Sequence, residues 1–429
     1  KIWLPTESAN TLGGSVNLVT RSALDRGQTF ASVSGEYGRY LASEEDSNKQ
    51  DVVFGTVIER ENWPKIGIQI SANRSLENRA SETLDNDGFE TELNDMRLVG
   101  DPSGFVIDDI ALEDFKIERE RTGFGGTVEF QLTEDTRIGF SGNANFVSDD
   151  EIRQETEFNF SDRYDGLRTL NQTVIDRAAA LGVTLETQNV GDDLAFNDAV
   201  ALGEIAYDPA TRLYTRYPSS VSPDKSWRRT VTDDEITNWQ LRGETVLPLE
   251  IGLEAVGYLS EASKEFTRRA VSLDSDRVGA IAIIDPDDGY SPIITPGPGL
   301  AVDDPTQYRL SAEDGSASED RFKSEETRMG LQLDFKHETK LFGDWLMENF
   351  FGYSGDFREK TFEFDPKSYE QFTDEDLELT LANPIFFGGN DLGGFFEDHD
   401  RSYEFGPYFA DNRVEELFES TGAVELDRT

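Results

Sequence analysis

Residues 124–146 read FGGTVEFQLTEDTRIGFSGNANF, and their spacing decides the fold class. Phe124, Gly126, Val128, Phe130 and Leu132 fall on alternate positions, so an extended chain puts them all on one face. Thr133 to Thr136 supply a short polar turn. Ile138, Phe140, Ala144 and Phe146 then resume the same alternation. Two stripes of period two around a tight turn are a β-hairpin with one apolar face.

The same unit recurs on both sides. Upstream, Val52, Phe54, Thr56 and Ile58 precede the turn Glu61-Asn62-Trp63-Pro64, and Ile66, Ile68, Ile70 and Ala72 follow it. Downstream, Trp239, Leu241, Gly243 and Leu247 lead through Pro248-Leu249-Glu250 into Ile251, Leu253, Ala255 and Leu259. A fourth hairpin sets Met329, Leu331, Leu333 and Phe335 before Phe342-Gly343-Asp344, with Trp345, Met347, Phe351 and Tyr353 after it. Ala31, Val33, Gly35 and Tyr37 add one strand ahead of the first hairpin. Between hairpins lie long stretches without alternation, at about 75–114, 149–225, 267–325 and 363–429. Short turns on one side and long connections on the other are the pattern of outer-membrane barrels. The expected fold is therefore all-β, a transmembrane antiparallel β-barrel with long extracellular loops. About nine strands are expected, an odd number that does not close a bacterial single-chain barrel. Further strands are expected beyond Thr429 or in another chain. Lys1-Ile-Trp-Leu-Pro5 has no charged segment leading into an apolar one, so an exported protein of this kind is expected to extend upstream of Lys1.

Composition excludes several functions. The 429 residues hold 86 acidic against 40 basic side chains, a net charge of −46, which repels nucleic acid. With no cysteine there is no disulfide, thiolate metal site or cysteine nucleophile. His337 and His399 lack metal-ligand spacing, and no Gly-x-Ser-x-Gly, phosphate-loop or His-Glu-x-x-His motif occurs. No enzyme activity, cofactor or metal is expected. No run of 18 apolar residues occurs either, which removes a transmembrane helix but not a transmembrane strand.

The acidity concentrates in the long connections: residues 75–114 carry twelve acids against two arginines, and 363–429 carry eighteen against four basic residues. Asp85-Asn86-Asp87-Gly88 and Asp285-Pro286-Asp287-Asp288-Gly289 space oxygen donors as a calcium loop does, but neither has the twelfth-position glutamate; ordinary turns are the expected use. Residues 172–182 predict a short helix, with Thr173 as its cap and Gly182 as its stop, packed over the barrel mouth. Tyr164, Tyr207, Tyr214, Tyr217, Arg212 and Arg216 belong to the same connection and could touch a ligand or simply pack the loop. The phenylalanines and glycines of 384–407 would stack on sugar rings or hold loops together.

Ahead of the first stripe stands Leu12-Gly13-Gly14-Ser15-Val16-Asn17-Leu18-Val19-Thr20-Arg21. This run resembles the end of the plug domain in TonB-dependent outer-membrane receptors, where a Gly-Gly-x-Val/Ile-Asn-x-x-Thr-Lys/Arg segment leads into the first barrel strand. Gly13, Gly14, Val16, Asn17, Thr20 and Arg21 carry the match, and Ser22 to Gln28 form the spacer. The resemblance implies residues 1–27 as the C-terminal end of a plug and 28–429 as the N-terminal part of a 22-stranded barrel. It implies a receptor in the outer membrane of a Gram-negative bacterium, importing a scarce siderophore, vitamin, oligosaccharide or peptide. The implied partners are the TonB complex, acting through a plug segment outside this chain, outer-membrane lipid and lipopolysaccharide. A passive porin or an adhesive surface barrel are the competing expectations; the plug-like opening speaks against the first, and the lack of repetitive loops against the second.

Overall fold

A computed structural model describes residues 22–40, 45–85, 109–159, 170–192, 198, 201–202, 206–208, 213–216, 220–275, 278–285, 288–296, 303–310, 317–341, 345–368, 380–384, 386–389, 394–395 and 403–420. A one-turn helix α1 (Ala23–Arg26) leads into β1 (Phe30–Arg39), β2 (Asp46–Ile58), β3 (Lys65–Asp85), β4 (Asp109–Gln131) and β5 (Arg137–Asn159). Helix α2 (Gln172–Leu181) and the short pair β6 (Ala206–Asp208) and β7 (Leu213–Arg216) precede β8 (Ser220–Leu247) and β9 (Ile251–Ser275). Then come β10 (Val278–Asp285), β11 (Asp288–Pro296), β12 (Tyr308–Leu310), β13 (Ala317–Leu341) and β14 (Trp345–Ser368). Short pieces β15 (Phe387–Gly389), β16 (Gly394–Phe395), β17 (Tyr403–Glu404) and β18 (Tyr408–Phe409) lead to α3 (Asp411–Ser420).

The long strands form one antiparallel meander in the order β1-β2-β3-β4-β5-β8-β9-β13-β14. The nine alternating stripes of the sequence are these nine strands, each beside its neighbour in the chain. Among the described residues β1 and β14 are the ends of the order and do not pair with each other, so the sheet is open. Its first two turns use the expected chemistry, whereas the third holds Leu249 and Glu250 at left-handed φ of 71° and 56°. Asn62 takes the left-handed φ of 64° that asparagine tolerates. The Leu132 amide donates to the Thr136 carbonyl at 2.9 Å, closing the second turn. Residues 342–344 of the fourth turn lie outside the described residues.

The long connections are shorter than their sequence bounds. β3 runs on to Asp85 and β4 begins at Asp109, inside the stretch 75–114. Likewise β5 reaches Asn159 and β8 starts at Ser220, β9 reaches Ser275 and β13 starts at Ala317, and β14 reaches Ser368. These extensions interleave charged residues with apolar ones such as Ile110, Leu112 and Phe158, which blurs the hydrophobic period. Arg119 makes two bonds of 2.6 Å to Asp149 across β4 and β5, and Arg229 binds Asp150 at 2.7 and 2.9 Å across β5 and β8.

At the loop end a packed core replaces open sheet. Trp227, Val271, Leu273, Tyr308, Leu381, Phe386, Phe409, Val414 and Phe418 are all buried there. Phe418 of α3 stacks on Trp227 at 6.3 Å, and Phe386 meets Phe409 edge-on, so these phenylalanines hold loop segments against the strands. Gln154 clamps the segment with both ends of its amide: its Nε2 donates to the Phe409 carbonyl at 3.2 Å and its Oε1 accepts from the Phe409 amide at 2.8 Å. Helix α2 forms as expected, but its cap is Asn171, whose side chain accepts from the Val174 amide, rather than Thr173. Its buried side Val174 and Ala178 packs on Leu170 and Leu202, within its own connection.

Candidate functional site: two chemically opposite faces of one sheet

Strand pairing carries each residue's face across the whole meander. One line of paired positions runs Ala31, Phe54, Ile70, Gly126, Gly142, Trp239, Leu259, Met329 and Phe357. Two residues nearer the turns the line is Thr56, Ile68, Val128, Phe140, Leu241, Gly257, Leu331 and Gly355. Next comes Ile58, Ile66, Phe130, Ile138, Gly243, Ala255, Leu333 and Tyr353. None of these positions is charged. Phe54, Ile70, Phe140, Trp239, Leu241, Met329, Leu331, Tyr353 and Phe357 are nevertheless exposed. An apolar patch this wide is far beyond what a water-facing surface tolerates. The Trp239 ring lies over Gly142, where a Cβ would approach it to 2.3 Å, and stacks on Phe140 at 5.8 Å.

The turns that bound this band are staggered. The first hairpin ends at the pair Ile58 and Ile66. Ile66 faces Phe130, yet the second hairpin runs one pair further, to Gln131 and Arg137. Arg137 faces Glu244, and the third hairpin runs three pairs further, to Leu247 and Ile251. Ile251 faces His337, and the fourth runs four further, to Leu341 and Trp345. The turns thus descend by roughly one residue per strand, or about 3.3 Å for each 4.8 Å of sheet width, a slope of about 35–40°. Toward the loop end the same face turns acidic, with Glu120, Glu235, Glu261, Glu325 and Glu359. Glu120, Asp233, Glu235 and Glu265 line a shallow groove there with Phe146 and Ser263.

The opposite face is polar. Gln69, Ser71 and Asn73 of β3 stand beside Gly123 and Gly125, then Asn143 and Asn145, then Asn238 and Gln240. Helix α1 docks on this face near the turns. Ser22 and Asp25 cap it reciprocally, and Gly27 ends it with a φ of 66°. Arg137 of β5 holds it, donating to Asp25 at 2.8 Å, to the Ser22 hydroxyl at 2.5 Å and to Glu129 at 2.6 Å. Leu24 fits over Gly67, where a Cβ would fall 2.7 Å from its Cγ. Sequence periodicity does not reveal this contact, because Gly67 and Arg137 lie on the face that alternation leaves unread.

Further along, still on the polar face, arginines gather: Arg153 pairs in register with Arg228, and Arg268 lies one diagonal step away on β9. Burial, and the charges of Arg153 and Arg268, push the Arg228 guanidinium below its ordinary range. Beyond them Glu157 pairs with Asp224, and burial, with Asp274 and Glu157 nearby, pushes the Asp224 carboxyl up to about 7. On the other face Lys225 is fully buried, donating to the Thr156 hydroxyl and the Phe405 carbonyl with its ammonium 4.1 Å from the Phe405 ring centre.

The six positions Gly13, Gly14, Val16, Asn17, Thr20 and Arg21 lie outside the described residues, as do 86–88 and 286–287 of the two acidic runs and Tyr164, Arg212, Tyr217 and His399. Tyr207 and Tyr214 are paired across β6 and β7. Among the described residues no three His, Cys, Asp or Glu side chains are arranged to hold a metal ion, and no helix is long and apolar enough to cross a membrane. Compared with known proteins, the chain matches no family model and no curated sequence at a significant level.

Proposed function

We propose that this chain is part of a TonB-dependent outer-membrane receptor, the end of its plug followed by the first strands of its transmembrane β-barrel. The observation that carries the proposal is the uncharged, exposed band spanning nine strands, bounded by turns that descend by about one residue per strand. A barrel wall in a bilayer requires that slope, because strands tilted by 35–45° must keep their apolar residues at constant depth. A soluble sheet has no reason to stagger an exposed apolar band, and water penalises it by roughly 25 cal/mol per Å².

Helix α1 favours a receptor over an open porin. It lies on the polar face, which becomes the lumen side when the apolar face meets lipid. It is also the spacer that follows the plug-like Gly13 to Arg21 run. The function that follows is uptake of a scarce solute from outside, with the TonB complex acting on the plug; no chemistry on the solute is involved.

Tryptophan depth tests this. In vesicles whose acyl chains carry bromine, a variant retaining Trp239 alone should lose most of its fluorescence, while one retaining Trp227 alone, in the loop-end core, should keep it. Equal, weak quenching of both would overturn the membrane assignment. Uptake that survives loss of TonB would overturn the receptor assignment and leave a porin.

A further inference from the structure

We propose that Arg153, Arg228 and Arg268 form an anion-binding station on the polar face, built for a solute bearing several carboxylate or phosphate groups. The chain carries a net charge of −46, and its apolar face is rimmed by carboxylates. The polar face behaves differently between the asparagine patch and the loop end. There Lys49, Arg79, Arg119, Arg121, Arg153, Arg228, Lys264 and Arg268 outnumber Glu36, Glu77, Asp149, Glu151, Asp234 and Asp320.

Three of these cations stand on neighbouring strands, and two of them, Arg153 and Arg228, are not fully satisfied. Among the described residues, the ion pair of Arg228 is a long contact of 3.6 Å to Glu151. Arg153 is held by Glu155 at 2.8 Å and by Glu113, and Arg268 by Asp320. The Nε–H groups of Arg153 and Arg228 are both buried without an acceptor among the described residues. A buried donor left unmade costs about 1–3 kcal/mol. Two such donors beside three mutually repelling guanidinium groups form a site that an incoming anion completes. The side chains of Arg153, Arg228 and Arg268 remain 27%, 33% and 47% exposed, so a solute can reach them. The loop-end core packs on the other face of these strands, through Trp227, Val271 and Arg269, and does not cover them. Planar guanidinium forks suit carboxylate and phosphate oxygens, to which they offer paired N–H bonds.

That a solute meets these arginines inside a lumen rests on the receptor proposal; anion binding by them does not. The test is calorimetric titration of the purified protein in detergent at low salt, with citrate in one arm and inorganic phosphate in the other. Binding of either anion is expected, and the tighter of the two identifies the group recognised. Arg228→Gln should weaken it about ten-fold or more, whereas Arg228→Lys, which keeps the charge and guards against misfolding, should weaken it less. Arg74→Gln, on the apolar face, should leave it unchanged. Arg228→Gln binding as tightly as the parent, or a parent that binds neither anion, would overturn the proposal. Anion binding retained without bromine quenching of Trp239 would sink the receptor assignment alone.

Discussion

At the scale of single residues the loop end holds the most perturbed chemistry. Asp224 sits beside Glu157 and Asp274, is half-buried, and accepts from the Ser275 amide at 3.4 Å. Its carboxyl is raised from 3.8 to about 7, so between those values the folded protein holds a proton that the unfolded chain releases. Stability therefore falls as pH rises from about 4 to about 7, and levels off above that. The expected result is a melting midpoint that drops over this range and drops less in Asp224→Asn. An unchanged slope in the variant would count against Asp224 as the titrating group. Lys225, one position along, faces the opposite way into the loop-end core. That reversal needs only the strand's alternation, but burial of a lysine there was not legible: its partners Thr156 and Phe405 lie 69 and 180 residues away in the chain.

Strands and helices were legible in proportion to how one-sided their burial is. β2 to β5 announce themselves because one face is apolar and the other is not. Their loop-side extensions mix ion pairs such as Arg268 to Asp320 with polar residues such as Gln154 and Thr156 that are buried against distant loop segments, so the period-two signal disappears while the backbone pairing continues. Helix α2 was legible from its apolar spacing and its final glycine, but competing polar residues at its start hid which of them caps it. Helix α1, four residues long, left no periodic signal; its docking depends on Gly67 making room for Leu24. Gly67→Val should push Leu24 and the helix off the sheet, at about 1–3 kcal/mol of overpacking. Hydrogen exchange at the Arg26 and Gly27 amides, whose partners are Ser22, Ala23 and Leu24, should accelerate about ten-fold or more while the β4–β5 amides keep their protection. Loss of protection throughout the sheet would instead mean that Gly67 serves the strands and not the helix.

At the largest scale the described residues are dominated by one sheet with an apolar face and a polar one, and neighbouring residues should report the difference. Leu241 and Gln240 are both exposed and adjacent on β8, but point to opposite faces. In lipid vesicles, Leu241→Arg should destabilise the protein by about 2–4 kcal/mol, as arginine does at mid-depth on a lipid-facing wall, while Gln240→Arg should cost far less. Reversible denaturant unfolding in vesicles measures both. Similar costs for the two would mean that the band does not face hydrocarbon.

The sequence by itself determined the nine long strands and which of their residues share a face, because those follow from local alternation. It left open how far the strands run, what covers their loop ends, and what docks on the second face. Only the tertiary structure decided these, since pairing register places residues hundreds of positions apart along one line. The band's slope emerges only when four hairpins are laid side by side. The grouping of Arg153, Arg228 and Arg268 emerges the same way, from three strands whose charges look evenly scattered along the chain.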